Sequence, residues 1–349
     1  TSHGLPHRSA RLSDVQRVIP VHHPTYGLRD PDAKTLVWWD YRQAASIIHG
    51  EIPDTPVEDE FPEAEYWEPK DADEFLYYLN ADPTKLALDT ECPLEYELRE
   101  TWWGWSACTI PGTGLAIRRS RPDFDTFTQA LGHHLEVADP LIVLQNGWAL
   151  DMDVFRRLGI RFNRIWDTMV ASFFLRIEPQ ALKVAARRHC GMTMTDYNDV
   201  IGDVAFEKQM TFLMEVADRA EFKTKNEPRL VYENDGNVRL YTPQPVAQRA
   251  ASIINDWAED PSTDLYKRWR NVDKELRRLV ERTIGPMPVA TLDDVPVEKA
   301  IRYAGRDPDA TLRLHNALVP RIEQARLTER LQLDLDILPY FEEIGRAHV

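Results

Sequence analysis

Cysteine is scarce in this chain, with only Cys92, Cys108 and Cys190 among 349 residues. An odd and widely spaced trio builds neither a disulfide framework nor a zinc site; it fits a reducing interior, so a cytoplasmic setting is expected. No apolar run approaches the roughly 20 residues that cross a bilayer, and no signal peptide opens the sequence, so no membrane partner is expected. Positive charge is short too: 42 Lys and Arg stand against 57 Asp and Glu, a net charge of −15. Proteins that grip nucleic acid by neutralising phosphates are usually basic, so tight free-standing binding is disfavoured. Metal chemistry is not, because cations balance carboxylates there. What the chain does have is apolar content, 43% of residues, enough for a substantial core in two domains or in one with appendages.

The first 50 residues hold a strand-like run at 18–21 and a helix-like stretch at 37–48. Residues 51–74 then carry eleven acids and four prolines, and 51–72 reads as an acidic, Pro-rich linker. A different pattern follows. Strands are predicted at 86–91, 102–109 and 115–118, joined by the Pro111-Gly112-Thr113-Gly114 turn. Phe124, Phe127, Leu131 and Leu135 share one stripe of a helix over 123–137. A buried strand at 141–144 precedes helices at 152–158, 167–175 and 181–190. Three meandering strands, a helix and a strand returning beside the first predict a mixed α/β sheet flanked by helices. Within 195–290, helices are expected at 212–219, 248–257 and 265–282, with a turn at Asn234-Asp235-Gly236-Asn237. The 265–282 helix is strongly basic, which suits either a solvated face or a DNA-contacting one. A long helix over 297–318 must accommodate Pro308, and another element begins at 331–341.

Three carboxylate signatures stand out. Asp89 and Glu91 close the apolar run Leu86-Ala87-Leu88; two apart on a strand, they point to one face while Thr90 points to the other. Asn146 and Asp151 follow the 141–144 strand. Asp151 is suited to a helix N-terminus, so capping is its simplest explanation, and Asp153 competes with it. Tyr303 and Asp307, four apart, share one helical face. Four acids converging on one point can hold two divalent cations, and two such cations can hydrolyse a phosphodiester. Oxygen-only ligands suit Mg²⁺ or Mn²⁺.

This combination resembles the DEDD superfamily of 3′→5′ exonucleases, in the branch whose third motif carries tyrosine. It is most similar to the proofreading domain of family A DNA polymerases over about residues 73–320. Leu86-Ala87-Leu88-Asp89-Thr90-Glu91 looks like the first motif, Gln145-Asn146-Gly147-Trp148-Ala149-Leu150-Asp151 like the second, and the run from Tyr303 through Asp307 to His315 like the third. Segments 166–172 and 182–190 are similar to intervening parts of the family. The chain departs from the pattern at Leu150, where an aromatic is usual, in the five-residue step from Asn146 to Asp151, and in a long stretch at 195–290 that reads as an insertion.

The resemblance implies a ribonuclease H-like, five-stranded mixed sheet. It implies that Asp89, Glu91 and Asp307 hold the cation that activates water, and Asp89 with Asp151 the second. Tyr303 would orient the attacking water, with Thr90 and Asn146 against the substrate. The implied partner is a single-stranded DNA 3′ end, cut to nucleoside 5′-monophosphates. A ribonuclease-D-like RNA exonuclease shares the same tyrosine motif, and a catalytically silent DNA-binding or scaffolding module is the reading of a different class. The 23–40 segment, with His23, Trp38, Trp39 and Asp40, resembles the C-terminal end of family 4 uracil-DNA glycosylases, though an ordinary Pro turn explains it equally. Residues 331–345 look like the start of a polymerase thumb, and the resemblance implies a phage-like polymerase domain in the same longer chain.

Overall fold

The computed structural model describes residues 64–92, 102–148, 150–177, 180–219 and 285–347, with parts of 223–242 and 265–281 and single positions between 19 and 49. It divides into two units, Thr1–Thr195 with Ile301–Val349, and Asp196–Ala300.

In the first unit β1 (Glu65–Trp67), β2 (Lys85–Glu91), β3 (Gly104–Cys108), β4 (Thr113–Arg118), β5 (Leu141–Leu144) and β6 (Ile165–Asp167) form one sheet. Its order is β1-β4-β3-β2-β5-β6. The strands β2, β3 and β4 are the expected antiparallel meander, and β5 and β6 continue parallel to β2 on its other side. That order is ribonuclease H-like. Two expectations need correction. The sheet has six strands rather than five, because β1 adds parallel to β4, and β1 comes from residues assigned to the linker. Its aromatics are the reason: Trp67 packs edge-on against Tyr78 with ring centroids 5.0 Å apart, and the Tyr66 hydroxyl donates to Asp309 Oδ2 at 2.8 Å. Averaged over a segment dense in acids and prolines, those two side chains are invisible. The remainder of that segment, 51–63, lies outside the described residues. The other correction is β6, which ends on Asp167, where only a helix was expected.

Helices α1 (Ala72–Leu79), α2 (Phe124–Ala138) and α3 (Asp151–Arg157) cover one face of the sheet. Asp71 caps α1 by accepting from the Glu74 N–H at 2.9 Å. The α2 stripe of Phe124, Phe127, Leu131 and Leu135 is buried as its spacing predicts. The helices α4 (Thr168–Phe174) and α5 (Leu182–Cys190) cover the other face. So do two late helices that follow α6 (Tyr197–Arg219) and α7 (Leu265–Arg270) of the second unit: α8 (Val297–Gln324) and α9 (Thr328–Ala347).

Strand alternation then sorts the side chains of β2. Leu86 and Leu88 enter the core shared with α2 and α3, while Ala87 enters the core shared with α8. Continuing the pleat, Asp89 and Glu91 face α8 and Thr90 faces α3. Helix α8 comes close because glycines meet there: a Cβ on Gly114 of β4 would lie 2.3 Å from the Gly305 carbonyl oxygen. Buried Asp309 sets its register, accepting from the Gly112 N–H and from Arg313 Nε, each at 2.8 Å, as well as from Tyr66. The helix runs through Pro308 without ending. The missing proline N–H takes one rung from the ladder, and the contacts to the sheet outweigh that loss.

The second unit holds α6, a small sheet of β7 (Lys223–Thr224), β8 (Arg229–Tyr232) and β9 (Val238–Thr242) in the order β7-β9-β8, and α7. The strands β8 and β9 pair antiparallel, and the turn expected at 234–237 lies outside the described residues. Phe212 meets Trp269 edge-on at 6.0 Å, and Lys208 pairs with Asp294 at 2.5 Å. The basic helix expected over 265–282 is interrupted, since α7 ends at Arg270 in a turn. The segment 248–257 lies outside the described residues, as do Trp38 and Trp39. His23 takes part in a local turn, with Nδ1 2.7 Å from Thr25 Oγ1 and accepting the Thr25 N–H at 3.2 Å. Among the described residues, no helix is long and apolar enough to cross a membrane.

Candidate metal centre

Carboxylate oxygens of Asp89, Glu91 and Asp307 lie within 4.8 Å of one another, all three side chains half-buried. They converge because the β2 pleat turns Asp89 and Glu91 toward α8 and the Gly114–Gly305 approach brings Asp307 down onto them. Three acids this close repel. Asp89 is held well above the usual carboxylate range, by burial first and then by Asp151, Asp307 and Glu91. Glu91 is raised likewise by burial and by Asp307, against the opposing charge of Lys183. Burial pushes Asp307 up to about 6, with Lys183 and Arg306 pulling the other way.

Asp151, which the resemblance pairs with Asp89 at a second ion, stands outside this trio. It is buried at the start of α3, and its Oδ1 accepts from the Thr90 N–H at 2.9 Å and from the Thr90 hydroxyl. The reason is the sheet edge: β5 pairs with β2 only as far as Ala87, so the Thr90 N–H beyond it needs another acceptor. Thr90, expected against the substrate, hydrogen-bonds Asp151 through both its N–H and its hydroxyl. Capping does not account for Asp151, because the N-cap is Leu150. The charge of Asp151 still reaches Asp89, and burial raises its own carboxyl to about 7. Asp153, the competitor, is committed to Arg157 at 3.0 Å and Arg156 at 3.6 Å.

Asn146 has a left-handed backbone, φ 57°, a conformation asparagine tolerates well. Its loop hangs on Asp167, a fully buried residue overlooked in the sequence. Asp167 accepts backbone N–H groups from Asn146, Gly147 (2.9 Å), Met169 (2.8 Å) and Val170 (3.1 Å). A helix N-cap signal was legible at Asp167; its second bond, back to the 145–147 loop, was not.

Tyr303 lies one turn before Asp307, and the Lys183 ammonium is 5.2 Å from its ring centroid. Lys183 also went unnoticed. A lone lysine on a helix carries no signal, and only the packing of α5 on α8, where Ala186 and Ala310 are buried together, brings it to the site.

The residues fit a divalent cation. Besides the oxygen trio, Glu91 Oε1 is buried with no hydrogen-bond partner among the described residues, an orphan acceptor that a cation would satisfy.

No known protein family and no curated protein matches this chain by sequence. Among solved structures it is similar to the crystal structure of the catalytic core of RRP6 from Trypanosoma brucei, at 10% identity and a TM-score of 0.41. The match covers 85% of this chain and 60% of that one. The assignment of a ribonuclease H-like fold stands on the strand order itself.

Proposed function

We propose that this chain is a metal-dependent 3′→5′ exonuclease, acting on single-stranded DNA ends as the proofreading module of a polymerase. The observation that carries the reading is the meeting of Asp89, Glu91 and Asp307, with Tyr303 one helical turn away. Asp89, Glu91 and Asp307 would hold one Mg²⁺ or Mn²⁺, and Asp89 with Asp151 a second. Bound there, the ions supply an activated water and charge to stabilise the leaving 3′-oxygen.

The protein residues do the positioning. Thr90 pins Asp151 through Oδ1, which leaves Oδ2 to turn to a cation. The Tyr303 phenol would hold the attacking water by hydrogen bond. The loop of Asn146, fastened to Asp167, would lie along the substrate strand. The choice of DNA rests on the thumb-like 331–345 segment, and a ribonuclease-D-like RNA exonuclease would use the same acids.

The test uses 5′-labelled single-stranded DNA and RNA of one sequence, with Mg²⁺ or with EDTA. Stepwise shortening from the 3′ end with release of nucleoside 5′-monophosphates is expected. It should stop in EDTA and in the Asp89→Ala, Glu91→Ala double variant. Undiminished activity in that variant would remove both residues from the site, and a preference for RNA would overturn the substrate assignment.

A further inference from the structure

Lys183 is the one cation whose charge acts on two of the three clustered acids and whose ammonium also faces Tyr303 among the described residues. Three features place it. It projects from the first turn of α5, whose Ala186 packs with Ala310 of α8, so positions 183 and 186 run alongside 303, 307 and 310. Its Nζ donates to the Thr195 carbonyl at 2.8 Å, which fixes the long side chain at its far end. Thr195 is itself held, because its hydroxyl accepts from Arg306 Nη1 at 2.9 Å, and Arg306 directly precedes Asp307. An ammonium 5.2 Å from the centre of a tyrosine ring is attracted by its π face.

We propose that Lys183 is a positioning residue on the water-activating side of the hydrolytic site: it braces the Tyr303 ring and is the counter-charge that Glu91 and Asp307 hold until a divalent cation displaces it. The proposal rests on the exonuclease reading for its catalytic half only. The electrostatic half concerns cation binding and stands without it. An ammonium beside a divalent ion weakens that ion's binding, and the same ammonium keeps three acids together when no ion is there. Lys183 thus opposes the metal and steadies the tyrosine.

The experiment compares Lys183→Met, Lys183→Gln and Lys183→Arg with the parent 349-residue chain. Mn²⁺ affinity is measured by calorimetry without substrate, and kcat and KM on a single-stranded 3′ end. The two neutral variants should bind Mn²⁺ roughly tenfold more tightly, since a repelling charge is gone. Their kcat should fall roughly tenfold with KM little changed, since Tyr303 is no longer braced. Lys183→Arg should return both quantities to near the parent values. A role in packing alone predicts the opposite sign for Mn²⁺, weaker binding in a loosened site, and that result would overturn the proposal. Unchanged Mn²⁺ affinity in both neutral variants would also overturn it. The glutamine variant keeps a donor for Thr195, so misfolding of the methionine variant does not remove the test. If the parent trims no nucleic acid, the exonuclease reading fails, while the Mn²⁺ measurement still decides whether Lys183 opposes the cation.

Discussion

At the residue scale, Asp89, Glu91, Asp151 and Asp307 are charges the fold brings together at a cost. All four carboxyls are raised, Asp307 to about 6 and Asp151 to about 7. A raised acid keeps its proton in the folded state where the unfolded chain has already released it. Between about pH 4 and pH 7 the folded protein therefore binds more protons, and its stability falls as pH rises through that window. In EDTA, Tm should be lower at pH 8 than at pH 5, and Mn²⁺ should restore it at pH 8 by replacing protons with a cation. Asp307→Asn should flatten the pH dependence, because one of the repelling charges is gone. A Tm in EDTA that climbed from pH 5 to pH 8 would contradict this account. The identity of these acids was legible in the sequence from their place at a strand end and on a helix face. The division of labour among them was not, since Asp151 and Thr90 meet across 61 residues of chain.

At the element scale, α8 decides whether the site exists. It is fastened to the sheet by Asp309 and by the close passage of Gly305 over Gly114. Gly114→Ala would put a Cβ 2.3 Å from the Gly305 carbonyl oxygen, and the helix must retreat to make room. Overpacking of this kind costs about 1–3 kcal/mol. Because Tyr303 and Asp307 ride on the same helix, kcat should fall by roughly an order of magnitude or more. Gly202→Ala is the control: it lies within α6, exposed, with nothing within 4 Å of the added Cβ. That change should stabilise by about 0.5–1 kcal/mol. If Gly114→Ala kept parental kcat and Tm, the glycine contact would not be what seats the helix. The existence of α8 was readable in the sequence, as were the meander and the α2 stripe. The strand β1 was not, because three residues inside an acidic, Pro-rich stretch have too little pattern of their own, and they are strand only because β4 offers an edge.

At the scale of the whole molecule, a net charge of −15 would face a polyanion if the proposed nucleic-acid substrate is correct. Long-range repulsion slows encounter at low ionic strength, and salt screens it over a Debye length of about 10 Å at 0.1 M. The rate constant kcat/KM on a short single-stranded end, with Mg²⁺ fixed, should therefore stay flat or rise between roughly 20 and 100 mM salt. A steep fall would point instead to a basic binding surface that neutralises phosphates. The second unit, Asp196–Ala300, holds a small three-stranded sheet and the Phe212–Trp269 ring contact.

The sequence by itself determined the succession of β2 to β5 and of the helices around them, the acids at their ends and the absence of a disulfide framework. Those are short-range properties: side-chain alternation along a strand, a stripe every three or four residues, a carboxylate beside an apolar run. Only the tertiary structure decided that Asp89 and Glu91 face α8 while Thr90 faces α3, that Asp167 and Asp309 hold the site in place, and that Lys183 stands beside the acids. Each of these depends on sheet order and on how closely a helix approaches a strand. Both are set by packing between segments distant in the chain, where local spacing has no reach.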